Sequence, residues 1–170
     1  MNKLWSPWRS EYIDSFLKKD KDEGCILCNI AKEDVNDLSN LLVDKGDLTF
    51  TVLNLYPYNN GHLMVIPYRH LSNPEDLTKE ENLETMEKIQ TAVKALKLTI
   101  HPEGFNIGVN LGKCAGAGID DHIHFHVVPR WNGDTNFMPV LGEVKVISQE
   151  LSKTKEKLLK AYQQINQENI

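Results

Sequence analysis

His122-Ile-His124-Phe-His126-Val-Val-Pro129 is the stretch on which the reading of this chain turns. Strict alternation of ring and apolar side chain is the pattern of a β-strand, where every second residue shares a face. The spacing predicts a strand over 122–129, with three imidazoles on one face and Ile123, Phe125 and Val127 turned into a core. A solvent-exposed polar face that happens to be histidine is the plain structural alternative. Three histidines in register beside a glycine-rich loop favour a chemical one. A single ion gripped by all three does not fit. At roughly 3.3 Å per residue the outer pair stands about 13 Å apart, against zinc–nitrogen distances of about 2.1 Å. The row must divide its work.

Upstream, Leu41 to Asp44 and Leu48 to Asn54 read as strands joined by the turn Asp44-Lys-Gly-Asp47, a hairpin signal. Pro57, Asn59, Asn60 and Gly61 break the chain, and His62 to Pro67 reads as a third strand. Thr78-x-x-Glu81 is a capping-box pattern opening a helix over 78–97, with Leu83, Met86, Ile89, Val93 and Leu96 as its expected apolar stripe. Phe105 to Asn110 is a fourth strand and 148–165 a final helix. Ser6-Pro7 with Trp8, Tyr12 and Phe16 at intervals of four predicts a short amphipathic helix over 7–19. The expected class is α+β, a mainly antiparallel sheet with packed helices.

With 170 residues, 41% hydrophobic and 25% charged, the chain suits one domain over 1–170. Its core is expected at about 24–140, with an N-terminal helical arm and a C-terminal helix. A formal net charge of -5 disfavours non-specific binding to nucleic acid or an anionic membrane. No run reaches the roughly 20 apolar residues of a membrane span. The opening ten residues show no apolar run followed by a small-residue cleavage site, and three cysteines do not make a disulfide scaffold. A cytoplasmic protein is therefore expected.

The loop Gly112 to Gly118 carries three glycines, Gly112, Gly116 and Gly118. Such a loop lets backbone N–H groups close around an anion, with Asn110 and Lys113 as added donors; an ordinary turn is the alternative. Trp131 is placed to stack on a base, close a dimer contact or pack in the core. Cys114 has no identifiable catalytic partner. Cys25-x-x-Cys28 reads as a redox pair, a metal half-site or coincidence, and no βαβ context supports the first.

Taken together, these residues resemble the histidine-triad (HIT) superfamily of nucleotide hydrolases and transferases, whose signature is His-φ-His-φ-His-φ-φ with φ apolar. Asn54-Leu-Tyr-Pro-Tyr-Asn-Asn-Gly-His62-Leu-Met-Val-Ile-Pro67 is similar to the family's strand–turn–strand. Phe105 to Asn110 with its glycine loop is similar to the phosphate-binding segment. Pro129 to Val140 and Leu4 to Arg9 resemble a branch containing diadenosine tetraphosphate phosphorylases. The likeness covers roughly 4–140.

The resemblance implies that His124 attacks the α-phosphorus, forming a nucleotidyl-histidine. It further implies that His126 lies near the phosphate and leaving group, His62 near the phosphate, and Asn54 on the ribose. A packed strand residue is the alternative for His62. The resemblance also implies a structural zinc on Cys25, Cys28, His70 and His122, and a homodimer; magnesium is not indicated. The best-known hydrolases hold their leaving phosphates with a glutamine and a hydroxyl residue. This loop has Lys-Cys-Ala-Gly-Ala-Gly-Ile instead, which leaves the acceptor open. Phosphate makes the enzyme a phosphorylase and water a hydrolase of dinucleoside polyphosphates or phosphoramidates. A nucleotide-binding module with negligible turnover is the rival from another class.

Overall fold

Strands rich in β-branched and aromatic residues build the centre of the molecule. The computed structural model describes residues 24–134 and 149–168. β1 (Leu42–Lys45) and β2 (Thr49–Leu53) form an antiparallel hairpin, its turn closed by the Gly46 N–H donating to the Thr49 carbonyl at 2.8 Å. β3 (Leu63–Pro67) follows, then β4 (Gly104–Val109) and β5 (Phe125–Arg130). The sheet runs β1-β2-β3-β5-β4 and every pairing is antiparallel. The α+β class expected from sequence is the class observed.

β2 and β3 are buried along their whole length, because both faces of the sheet are covered. Alternation assigns the residues. Leu63 and Val65 of β3 join Val43, Leu53 and Val127 beneath the long helices. Met64 and Ile66 turn the other way, toward Leu27, Phe50 and Val52. His126 of β5 lies between Met64 of β3 and Gly108 of β4, so it belongs to this second face.

Three α-helices complete the described residues: α1 (Ile26–Ile30), α2 (Lys79–Ile100) and α3 (Leu151–Glu168). α2 opens with the expected capping box, the Glu81 N–H donating to Thr78 Oγ1 and the Thr78 N–H to Glu81 Oε2. It ends at His101, which takes the left-handed conformation with φ 48° just before Pro102, a residue that cannot be preceded comfortably by helix.

The apolar stripe expected on α2 is rotated. Leu83 and Met86 are 62% and 53% exposed, while Thr85, Ile89, Ala92, Ala95 and Leu96 face the core. Small alanines let the helix lie close against β2 and β3, and buried Glu81 is held by its cap and by Arg69 at 2.6 Å. At Gly61 (φ 76°) a Cβ would stand 2.6 Å from Ile100 Cδ1. Glycine is therefore required where the chain passes beneath α2 into His62 and β3.

The strand predicted over 122–129 begins only at Phe125. The Ile123 N–H donates to the Leu71 carbonyl at 2.7 Å, off the sheet ladder, and His122 turns away with it. The final helix runs to Glu168 rather than 165. The helix predicted over 7–19, and the part of the C-terminal signature from 135 to 140, lie outside the described residues.

Candidate active site

On the α1 side of the sheet lies a cavity of about 570 Å³. Ile26, Leu27 and Ile30 of α1 with Val52, Leu53 and Met64 of the sheet give it an apolar wall. Asn54, Tyr58, Asn110, Gly116, His124 and His126 line its polar part. The sequence-predicted His124, His126, Asn54, Asn110, Gly116 and Gly118 are thus brought to one space.

A chain of hydrogen bonds fixes the tautomers. The Tyr58 backbone N–H donates to His62 Nδ1 at 3.0 Å, so the ring proton of neutral His62 sits on Nε2. That nitrogen donates to His126 Nδ1 at 2.9 Å. His126 must then carry its own proton on Nε2, a buried atom without a hydrogen-bond partner among the described residues. A buried donor left unpaired costs about 1–3 kcal/mol, so the site stores a demand for an acceptor. Fully buried His62 does not itself line the cavity.

His124 is held differently. Its Nδ1–H donates to the carbonyl oxygen of His122 at 2.9 Å. The other nitrogen, Nε2, therefore carries the lone pair. Burial holds this imidazole below its ordinary pKa, opposed by that same hydrogen bond, so it is neutral and nucleophilic near pH 7. Asn54 is oriented by the Tyr56 N–H, which donates to its Oδ1 at 2.9 Å.

Burial, reinforced by neighbouring His124, pushes His126 down to about 4. The unfolded chain binds a proton at about pH 6.5, so between these values unfolding takes up protons and stability rises with pH. The contribution is complete above pH 6.5 and shrinks toward pH 4, by up to about 3 kcal/mol. Melting temperatures are expected to be flat from about pH 7 to 8 and to fall from about pH 6.5 to 5, before carboxylates titrate. His126→Gln should flatten that fall; an unchanged slope would contradict the assignment.

A second cluster stands beside the first. Cys25, Cys28, His70 and His122 offer four ligand atoms, all within 4.8 Å of one another. His122 Nδ1 is 3.3 Å from Cys25 Sγ and 3.5 Å from Cys28 Sγ, and His70 Nδ1 is 3.5 Å from Cys28 Sγ. Tetrahedral ligands at zinc-like distances of about 2.3 Å (sulfur) and 2.1 Å (nitrogen) stand about 3.6 Å apart, so the four fit a closed metal site. The His122 Nε2–H donates to the Pro67 carbonyl at 2.9 Å, which leaves Nδ1 free to ligate. Asp121 lies 3.9 Å from His70 Nε2.

Other expected residues lie elsewhere. Lys113 is exposed and 3.8 Å from Asp120; neither it nor Gly112 lines the cavity. Trp131 also lies off the cavity, its Nε1–H donating to the His101 carbonyl at 3.2 Å. Sequence reading missed Tyr58, whose hydroxyl accepts from Asn110 Nδ2 at 3.5 Å and whose ring lies 5.5 Å from that of His126. It also missed α1 as a wall, since five residues are too few to show a helical period.

The arrangement has relatives. An AP-4-A phosphorylase of Mycobacterium tuberculosis is 44% identical over 158 residues, 91% of this chain and 81% of that protein. An adenosine 5'-monophosphoramidase of Schizosaccharomyces pombe is 28% identical over 136 residues, 76% of this chain and 96% of that one. The crystal structure of a Zn-bound histidine triad family protein from Mycobacterium smegmatis aligns with a TM-score of 0.68 at 26% identity, covering 85% of this chain and 97% of its own. A model of the HIT domain matches residues 36–133, more than half of the chain, and with these histidines in place the protein belongs to the HIT family.

Proposed function

We propose that the chain is a nucleotidyl-transfer enzyme that cleaves dinucleoside polyphosphates, with phosphate as the final acceptor. The observation that carries this is the lone pair of His124 Nε2 in the cavity, with Nδ1–H tied to the His122 carbonyl. The 44% identity to an AP-4-A phosphorylase supports the substrate class.

In the first step His124 Nε2 attacks the α-phosphorus of diadenosine tetraphosphate. An N–P bond forms, the P–O bond to the β-phosphate breaks, and ATP leaves. The Nε2–H of His126 is the donor for phosphate or leaving-group oxygen, its pairing demand met as charge develops there. His62 holds it in that tautomer. In the second step inorganic phosphate attacks the adenylyl-histidine, the N–P bond breaks, and ADP departs.

The apolar wall of Ile26, Leu27, Ile30, Val52 and Met64 takes the base, and Asn54 the ribose. Asn110 and the backbone at Gly116 and Gly118 hold the phosphates. Gly112 and Lys113 shape and charge that loop from outside. Among the described residues the cavity is lined by no lysine or arginine, and Glu33, Asp34 and Asp37 border it away from the proposed phosphate donors. Trp131 is assigned to the surface between copies.

Zinc on Cys25, Cys28, His70 and His122 would cross-link α1 to the segments before and after the central strands, supplying structure rather than chemistry. A homodimer is supported by β4, the edge strand beside β5 among the described residues, with Ile107 51% exposed; such edges invite a partner strand. The expected cytoplasmic location rests on the three free cysteines.

The test is turnover of diadenosine tetraphosphate with and without inorganic phosphate. ATP plus ADP, formed only with phosphate, is the expected result. AMP formed at the same rate without phosphate would make the enzyme a hydrolase. Adenosine phosphoramidate is the informative second substrate, given the fission-yeast relative. No turnover of either would leave a binding module.

A further inference from the structure

Lys155 has no place in the chemistry above, yet it is 0% exposed on the inner face of α3. The other inward residues of that helix include Leu158, Ala161 and Ile165, and an apolar side chain would serve such packing better. Burying an ammonium is costly unless its donors are satisfied. All three are. They go to the carbonyl of Asp37 at 2.7 Å, the carbonyl of Asn40 at 3.2 Å and Asn40 Oδ1 at 2.8 Å. No carboxylate lies within ion-pair distance of Lys155 among the described residues.

The held segment lines the nucleotide cavity. Asp34, Asp37 and Asn40 border the same space as His124, in the stretch that follows α1 and its apolar wall. Asn40 extends the tether. Its Nδ2 donates to the Asp34 carbonyl at 2.7 Å, and its Oδ1 also accepts from the Leu42 N–H at 2.9 Å. One ammonium on α3, itself outside the cavity, thus holds two backbone carbonyls of one wall directly and a third, that of Asp34, through the Asn40 side chain.

We propose that Lys155 is a positioning residue for the nucleoside end of the cavity, holding the wall at 34–40 in the shape that receives base and sugar. The idea rests on the nucleotide reading of that cavity. It places the effect on binding and not on phosphorus chemistry, because the histidines are held by other partners, Tyr58 and the His122 carbonyl.

The experiment compares wild type, Lys155→Met and Lys155→Arg. It measures Kd for AMP by calorimetric titration, KM and kcat for diadenosine tetraphosphate with phosphate, and the melting transition. Lys155→Met is expected to raise Kd and KM about tenfold with kcat within about twofold. Lys155→Arg, still a donor, recovers most of the loss. A folded Lys155→Met protein with unchanged Kd and KM overturns the proposal, as does a fall in kcat alone. Should that variant not fold, hydrogen exchange of the wild type decides. Amides of 34–41 gain protection with saturating AMP, and no gain there overturns the proposal. Wild type that fails to bind AMP overturns the nucleotide reading itself, a separate result.

Discussion

His124→Ala should lower turnover of diadenosine tetraphosphate by a factor on the order of 10⁴ or more, while the protein stays folded. The expectation follows from which nitrogen lone pairs face the cavity. His126 has spent its lone pair at Nδ1 on the proton of His62 Nε2, 2.9 Å away, so its remaining ring nitrogen is a donor. His62 accepts from the Tyr58 N–H and does not reach the cavity wall. Of the two rings that line the cavity, His124 holds its proton on Nδ1 against the His122 carbonyl, which leaves the lone pair on Nε2. Its loss removes the covalent route and leaves only what positioning and the His126 N–H contribute. Intact-mass analysis after mixing with substrate and no phosphate should show an adenylyl adduct on the wild type and none on the variant. A His124→Ala protein retaining a tenth of the wild-type rate would refute the covalent mechanism, whichever acceptor is used.

Much of this was readable in the chain itself. The hairpin at 44–47, the capping box at Thr78 and Glu81, and the alternation that puts His124 and His126 on one cavity are short-range patterns. Local geometry enforces them. What escaped depended on long-range packing. The stripe on α2 was misplaced because alanines and Thr85, not the larger Leu83 and Met86, make the close approach to the sheet. The strand expected from His122 starts only at Phe125, because the Ile123 N–H bonds off the ladder to the Leu71 carbonyl, 52 positions upstream, with His122 beside the cysteines as the resemblance implied. Lys155 reads as an ordinary helical surface lysine; its partners lie 115 and 118 residues away. The cavity wall at 34–40 is polar sequence with no periodicity. Trp131 and Lys113 have the chemistry of a nucleotide site, but their side chains are engaged elsewhere on this chain.

Removal of the proposed zinc should act on stability and on nucleotide binding at once. Structural zinc contributes apparent binding energies of about 10–16 kcal/mol in small finger peptides. Here two core clusters hold the sheet independently, so only part of such a contribution is expected to appear. A loss of about 3 kcal/mol is about 6–12 °C in melting temperature for a chain of this size. Nucleotide affinity should fall with it, because the ligands adjoin residues that line the cavity. Cys25 precedes α1 and Cys28 lies within it, and Ile26, Leu27 and Ile30 of that helix form part of the apolar wall. His122 offers Nδ1 to the cysteines, while its carbonyl is the acceptor that sets the His124 tautomer. The Cys/His cluster and the proposed nucleophile are therefore both held by His122. Protein purified without added zinc should carry close to one equivalent, and Cys28→Ser or chelation should lower both the melting temperature and the affinity for AMP. Metal content below a tenth of an equivalent, or a metal-free protein that melts and binds AMP as the untreated one does, would remove zinc from the account and leave the four residues as a packed polar cluster.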